Sequence, residues 1–212
     1  MIERSQTFGE EIANSVSHGF GLLAALIGIP VLLVVTSNHG AAINIVGASI
    51  FAATMLVLYA ISTVYHALPE GKAKRVFMKL DHAAIFVFIA GCYTPFALGA
   101  LHGPWGWTLL GAVWGLAALG VTLKALDRLS NPWLSTGLYL LMGWLVVIAA
   151  VPLFTHVPAA GIGWLAAGGL AYTLGCGFFM TDSRIRFGHA VWHLFVLAGT
   201  SCHFVAVLAY SM

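Results

Sequence analysis

Apolar residues run through this chain in seven long blocks, and the polar residues gather between them. The blocks cover approximately residues 16–37, 41–67, 78–100, 104–124, 132–154, 158–180 and 187–210. Each is long enough to cross a hydrocarbon layer as a helix, which takes roughly 20 apolar residues. Hydrocarbon offers no partner to the backbone, so a spanning segment must be a helix or part of a closed barrel. A barrel strand alternates lipid-facing and lumen-facing positions. These runs are continuous, which excludes it. The pattern predicts an all-α integral membrane bundle of seven transmembrane helices. Pro30, Pro95 and Pro152 fall inside the blocks, where neighbouring helices can take up the backbone groups that a proline frees.

The connections come in two kinds. Ser37–Gly40, Leu101–Gly103 and Thr155–Val157 are tiny and uncharged, whereas Pro69–Phe77, Ala125–Asn131 and Thr181–Arg186 are longer and charged. The nine cations are Arg4, Lys72, Lys74, Arg75, Lys79, Lys124, Arg128, Arg184 and Arg186. All of them precede the first block or lie in or beside the second kind of connection. Lys and Arg collect in cytoplasmic loops, so the N-terminus is expected in the cytoplasm and the C-terminus outside. Trp105, Trp107 and Trp164 fit an outer aromatic belt and Trp133 an inner one. Gly111 and Gly115, four residues apart, permit close helix contact, with simple packing as its expected meaning.

Of 212 residues, 60% are apolar and only 8% charged, against about 25% charged in soluble domains. Seven spans and six short connections use nearly the whole chain, so a single domain over 1–212 is expected. Glu3, Glu10 and Glu11 stand against Arg4 alone at the start, and the run that follows is long enough to span. That is not a secretory signal. The basic residues sit beside spans, where they meet lipid headgroups rather than nucleic acid. Cys92, Cys176 and Cys202 are odd in number and lie inside spans, so they are expected as buried free thiols rather than a disulfide framework.

Histidine carries the chemistry. His39, His102 and His156 belong to the outer connections. His189-x-x-x-His193 places two imidazoles on one helix face, a spacing that suits two ligands of one Zn²⁺. No Glu follows His189, so this is not the metalloprotease helix motif. His66 ends the second block at the same depth, and Asp81 begins the third. Threading alone therefore brings three imidazoles and one carboxylate together from three helices. Three neutral histidines leave zinc one open position, and Asp81 can offset its charge directly or through a bound water. Ser62 lies one turn before His66. Glu11, Asn14 and His18 lie one turn apart at the inner end of the first block and are expected to line the mouth of the site. Ion pairing for Asp81, back-bonding for Ser62 and helix-start preference for Glu11 and Asn14 are the purely structural alternatives. His203 is about 15 Å beyond His193 along the helix, too far to share an ion.

The string Ser62-Thr-Val-Tyr-His66, then Lys-Leu-Asp81-His, then His189-x-x-x-His193 resembles the progestin/adiponectin receptor superfamily. Together with Glu11-Ile-Ala-Asn14-Ser-Val-Ser-His18-Gly, it resembles the bacterial hemolysin III branch. The resemblance covers nearly the whole chain. It implies seven helices in a bacterial inner membrane and zinc held by His66, His189 and His193. It further implies that Asp81 and Ser62 approach the metal-bound water, and a kinship to membrane hydrolases that include alkaline ceramidases. The long cytoplasmic N-terminal region of the animal receptors is missing from this sequence, so hormone reception is not implied.

Three functions follow as expectations. The first is a zinc-dependent hydrolase of a lipid amide or ester at the cytoplasmic leaflet, with Asp81 as general base and Ser62 as a positioning or oxyanion group. The second is a channel-forming cytolysin of the hemolysin III type. Against it, no charged residue lies deep in a span, where ion pathways mark themselves. The third is a non-enzymatic signalling or lipid-homeostasis protein with a closed, structural zinc.

Overall fold

A computed structural model describes residues 5–212, so the expectations placed on Glu3 and Arg4 lie outside the described residues. Eight helices make seven membrane-crossing segments. They are α1 (Phe8–His39), α2 (Ala42–Ala67), α3 (Lys72–Leu98), α4 (Pro104–Ala125), α5 (Pro132–Trp144), α6 (Ala150–His156), α7 (Ala159–Thr181) and α8 (Gly188–Tyr210). A 3-10 turn, Leu145–Ala149, joins α5 to α6, and the three pieces form the fifth span. No strand occurs among the described residues. The protein is an all-helical membrane bundle, as the apolar blocks predict.

The helix ends follow from local chemistry. α1 starts well before its apolar block because Thr7 and Glu10 form a reciprocal capping box. Glu10 Oε2 accepts from the Thr7 backbone N–H at 2.9 Å, and the Thr7 hydroxyl accepts from the Glu10 N–H at 3.4 Å. α5 is capped by Asn131, whose side-chain oxygen accepts from the N–H groups of Trp133 and Leu134, with Pro132 at the first helical position. Asx caps and an early proline are the ordinary helix-start devices. α3 starts at Lys72, six residues ahead of its apolar block, because hydropathy marks only the part of a helix inside hydrocarbon.

Pro152 breaks the fifth span. Proline has no N–H to donate and clashes with the carbonyl four residues back, and the chain relaxes into the tighter 3-10 turn before it. Tyr93 of α3 seals the break. Its hydroxyl lies 2.8 Å from the carbonyl oxygens of Met142 and Gly143 and accepts the Val146 N–H at 2.9 Å. A neighbouring helix thus takes up the freed backbone groups.

Burial runs opposite to that of a soluble protein. Ile27, Val151 and Phe154 are among many apolar side chains that face outward, while Asn14, His18, Ser62, His66, Asp81 and His193 are buried. Lipid covers the outside, so the polar groups must meet inside. α1 packs between α2 and α8, and α3 touches α2, α4, α5 and α8. The first and last spans are therefore neighbours. Cys92, Cys176 and Cys202 are free thiols.

Small residues set the α2–α3 separation. A Cβ on Gly91 would lie 2.0 Å from Thr54 Oγ1, and one on Gly47 2.9 Å from the Pro95 Cα. A Cβ on Gly111 or Gly115 would have nothing within 4 Å. That pair makes no close contact inside the chain, contrary to the packing expected of it. Gly91→Ala should lower stability by about 1–3 kcal/mol through overpacking. Gly111→Ala should leave it unchanged or slightly raised. Thermal melting in detergent checks both.

Candidate metal centre

His66 from α2 and His189 and His193 from α8 converge beside the first turns of α1, at the charged end of the bundle. The ring centroids of His66 and His189 are 5.0 Å apart, those of His66 and His193 5.0 Å, and those of His189 and His193 4.8 Å. One ring nitrogen from each lies within 4.8 Å of the others, close enough to hold one metal ion. The side chain of His66 is 2% exposed and that of His189 12%.

The outer ring nitrogens are all engaged. His66 Nδ1 lies 2.7 Å from Glu11 Oε2 on α1. His189 Nδ1 lies 2.8 Å from Asp182 Oδ2 in the α7–α8 connection. His193 Nδ1 lies 3.1 Å from the Asn14 carbonyl and 2.9 Å from Ser17 Oγ. Carboxylates and carbonyls only accept, so each Nδ1 carries the proton and donates it. Each Nε2 then keeps its lone pair. Partners of this kind fix the tautomer and ring direction of metal-binding histidines. His66 Nε2 is buried with no hydrogen-bond partner among the described residues. A buried, unpaired acceptor is costly, and a cation between the three rings would satisfy it. The residues present fit a bound metal.

Local structure sets these positions. Lys74 on α3 holds the other Glu11 oxygen at 2.9 Å and caps the end of α2 by donating to the Leu68 carbonyl at 3.1 Å. Phe187 opens α8 in the left-handed region with φ 59°, a conformation that costs about 1 kcal/mol or more for such a residue. Its N–H is held by Glu10 Oε1 at 2.9 Å. The first turn of α1 therefore orients the start of α8, from which His189 and His193 project.

Asp81 and Ser62 are buried and share a cavity wall with His193. Asp81 stands outside the three-ligand cluster. Lys79, a candidate partner for it, is bound instead to Asp127 at 2.6 Å. The Ser62 hydroxyl lies beside the Asp81 carboxylate, and its 2.7 Å hydrogen bond runs to His18 Nδ1. The three α1 residues expected at the mouth sit at different depths. Glu11 keeps 19% exposure, whereas Asn14 and His18 are fully enclosed. His18 stacks on His193 at 3.5 Å between centroids, with its Nε2 buried and unpartnered. His203 lies apart, with Nε2 3.3 Å from the Leu165 carbonyl. Sequence reasoning passed over Ser17 and Asp182. Nothing in their spacing marks them, because their roles depend on which helix lies alongside.

Two adjoining apolar cavities lie on the His193 side of the cluster. One of about 110 Å³ is lined by His18, Ser62, Asp81 and His193 at its polar end and by aromatic and aliphatic side chains elsewhere. The second, about 200 Å³, shares Cys92, Tyr93, Trp144 and His203 with the first and reaches Leu101 and Leu153.

Seven membrane-crossing helices around a three-histidine cluster define a multi-pass membrane protein with a candidate intramembrane metal site. The chain belongs to the haemolysin-III-related family, whose model matches residues 6–204. It is 40% identical over 210 residues to Hemolysin-3 of Bacillus cereus, covering 99% of this chain and 95% of that protein. It is 43% identical over 204 residues to a Hemolysin-3 homolog of Bacillus subtilis (strain 168), covering 96% and 95%. A human monocyte to macrophage differentiation factor is 29% identical over 206 residues, covering 95% and 84%. Bacterial homologues and seven apolar helices place the chain in the bacterial inner membrane as a multi-pass protein.

Purified protein equilibrated with Zn²⁺ should retain about one ion per chain by elemental analysis, from the donor set. His193→Ala should lose it, and His203→Ala should keep it. Glu11→Gln should weaken zinc affinity about 10–100-fold in chelator competition, the usual loss when a histidine's outer partner is removed.

Proposed function

We propose that this chain is a zinc-dependent hydrolase of a lipid amide or ester, working at the cytoplasmic leaflet with its N-terminus in the cytoplasm. One observation carries the reading. His66, His189 and His193 bring one ring nitrogen each to within 4.8 Å of one another, and Asp81 shares the wall of an apolar cavity with His193. His66, His189 and His193 would hold the ion. Three neutral imidazoles suit zinc better than Mg²⁺ or Ca²⁺, which prefer oxygen. Zinc, when bound, lowers the pKa of a water and polarises a carbonyl.

The chain's own residues supply the rest. An Asp81 carboxylate oxygen takes a proton from the attacking water and returns it to the departing amine or alcohol. Ser62, held by His18, presents its oxygen beside that carboxylate and limits where it can swing. The apolar cavities take the hydrocarbon chain of the substrate and keep bulk water from the reacting group. The standoff of Asp81 from the ligand set favours an open site over a closed, four-ligand structural one.

Asp81→Asn should retain zinc yet lose lipid turnover by about 100-fold or more. A broad lipid panel followed by mass spectrometry measures this, and wild-type turnover by the variant would contradict the assignment. The name of the Bacillus cereus relative, Hemolysin-3, favours a second reading, a channel-forming cytolysin. Single-channel recording in pure lipid bilayers separates the two, because a hydrolase gives no unitary currents.

A further inference from the structure

The charged end of the bundle contains a polar cavity of about 660 Å³. It opens beside the histidine cluster, because Glu11 and Asp182 stand in its wall. Most of its ionic groups are matched. Lys74 pairs with Glu11 and Lys79 with Asp127, while Asp182 accepts a hydrogen bond from the neutral His189 ring. Glu70 lines the rim and is exposed.

Lys124 is different. It sits in the last turn of α4, lines the cavity, and is only 9% exposed. Among the described residues no carboxylate pairs with its ammonium and no acceptor bonds it. The C-terminal end of α4 offsets part of its charge. No protein carboxylate among the described residues offsets the rest. His82 and Ser130 line the same cavity and add potential donors.

The order of compartments is informative. An apolar cavity, then the histidine cluster with Asp81, then a polar cavity with an unpaired ammonium follow one another along the bundle. A phosphate-bearing acyl lipid has the same order: hydrocarbon chain, ester carbonyl, phosphate. We propose that the polar cavity is a phosphate subsite with Lys124 as its charge partner. Resting on the hydrolase reading above, the substrate class is then an acyl ester of a phosphate-bearing lipid.

Lipid retention by the full chain tests this without turnover. The probes are phosphatidylglycerol and diacylglycerol of equal chain length, offered in detergent and read by native mass spectrometry, with zinc content measured alongside. Wild type should retain phosphatidylglycerol over diacylglycerol. Lys124→Gln should reduce that preference about tenfold, the scale of a lost charged hydrogen bond. Lys124→Arg should keep it, as should Lys72→Gln on the exposed start of α3. Inorganic phosphate in competition separates two sources of the same chemistry. Displacement at millimolar concentration assigns the site to the free anion, and resistance to it assigns the site to the lipid headgroup. Equal preference in wild type and Lys124→Gln overturns the proposal, as does equal retention of the two lipids by wild type. Lys124-dependent retention in a protein that hydrolyses nothing would keep the phosphate site and remove only the hydrolase reading.

Discussion

Hydrocarbon gives a polar atom nothing to bond with, and the centre of this protein is organised by that fact. Each histidine of the cluster has two nitrogens to satisfy. A Glu11 carboxylate, an Asp182 carboxylate and an Asn14 carbonyl take the three Nδ1 protons. Each Nδ1 has a pure acceptor within 3.1 Å, which assigns its proton to that side of the ring. What remains is one ring nitrogen from each histidine, within 4.8 Å of the others and close enough to hold one cation. Binding capacity here follows from the hydrogen-bond arithmetic of a low-dielectric interior.

That arithmetic explains the position of α1. Its outer face is apolar and exposed to lipid, yet its opening turns carry Glu10, Glu11, Asn14, Ser17 and His18. Lying between α2 and α8, it can reach His66 on one side and His193 on the other. Glu10 also holds the left-handed Phe187 at the start of α8. A cluster built from helices at opposite ends of the sequence thus depends on a third helix that contributes none of its three ligands.

Much of the architecture was legible in the sequence. Hydropathy alone places the seven spans, and the i, i+4 spacing puts His189 and His193 on one face. Alternate crossing brings His66 and Asp81 to their depth. The rest needed tertiary information. Helical periodicity states which residues share a face but not which helix that face meets. Ser17 and Asp182 therefore look like ordinary polar residues, and Asn14 and His18 look like rim residues although they are enclosed. The early start of α1 was present in the sequence as Thr7-x-x-Glu10, a capping signature outside the apolar block. Pro152 was visible, but nothing in the sequence separates it from Pro30 and Pro95, which stay inside continuous helices, and the seal by Tyr93 depends on α3 lying alongside α5.

The central claim is that His66, His189 and His193 surround one metal ion through Nε2, with no thiolate. X-ray absorption spectroscopy of the zinc-loaded protein in detergent tests it most directly. The account predicts nitrogen or oxygen neighbours at about 2.0–2.1 Å and outer-shell scattering that fits about three imidazole rings. A sulfur neighbour at about 2.3 Å, or scattering that fits one ring or none, would contradict it.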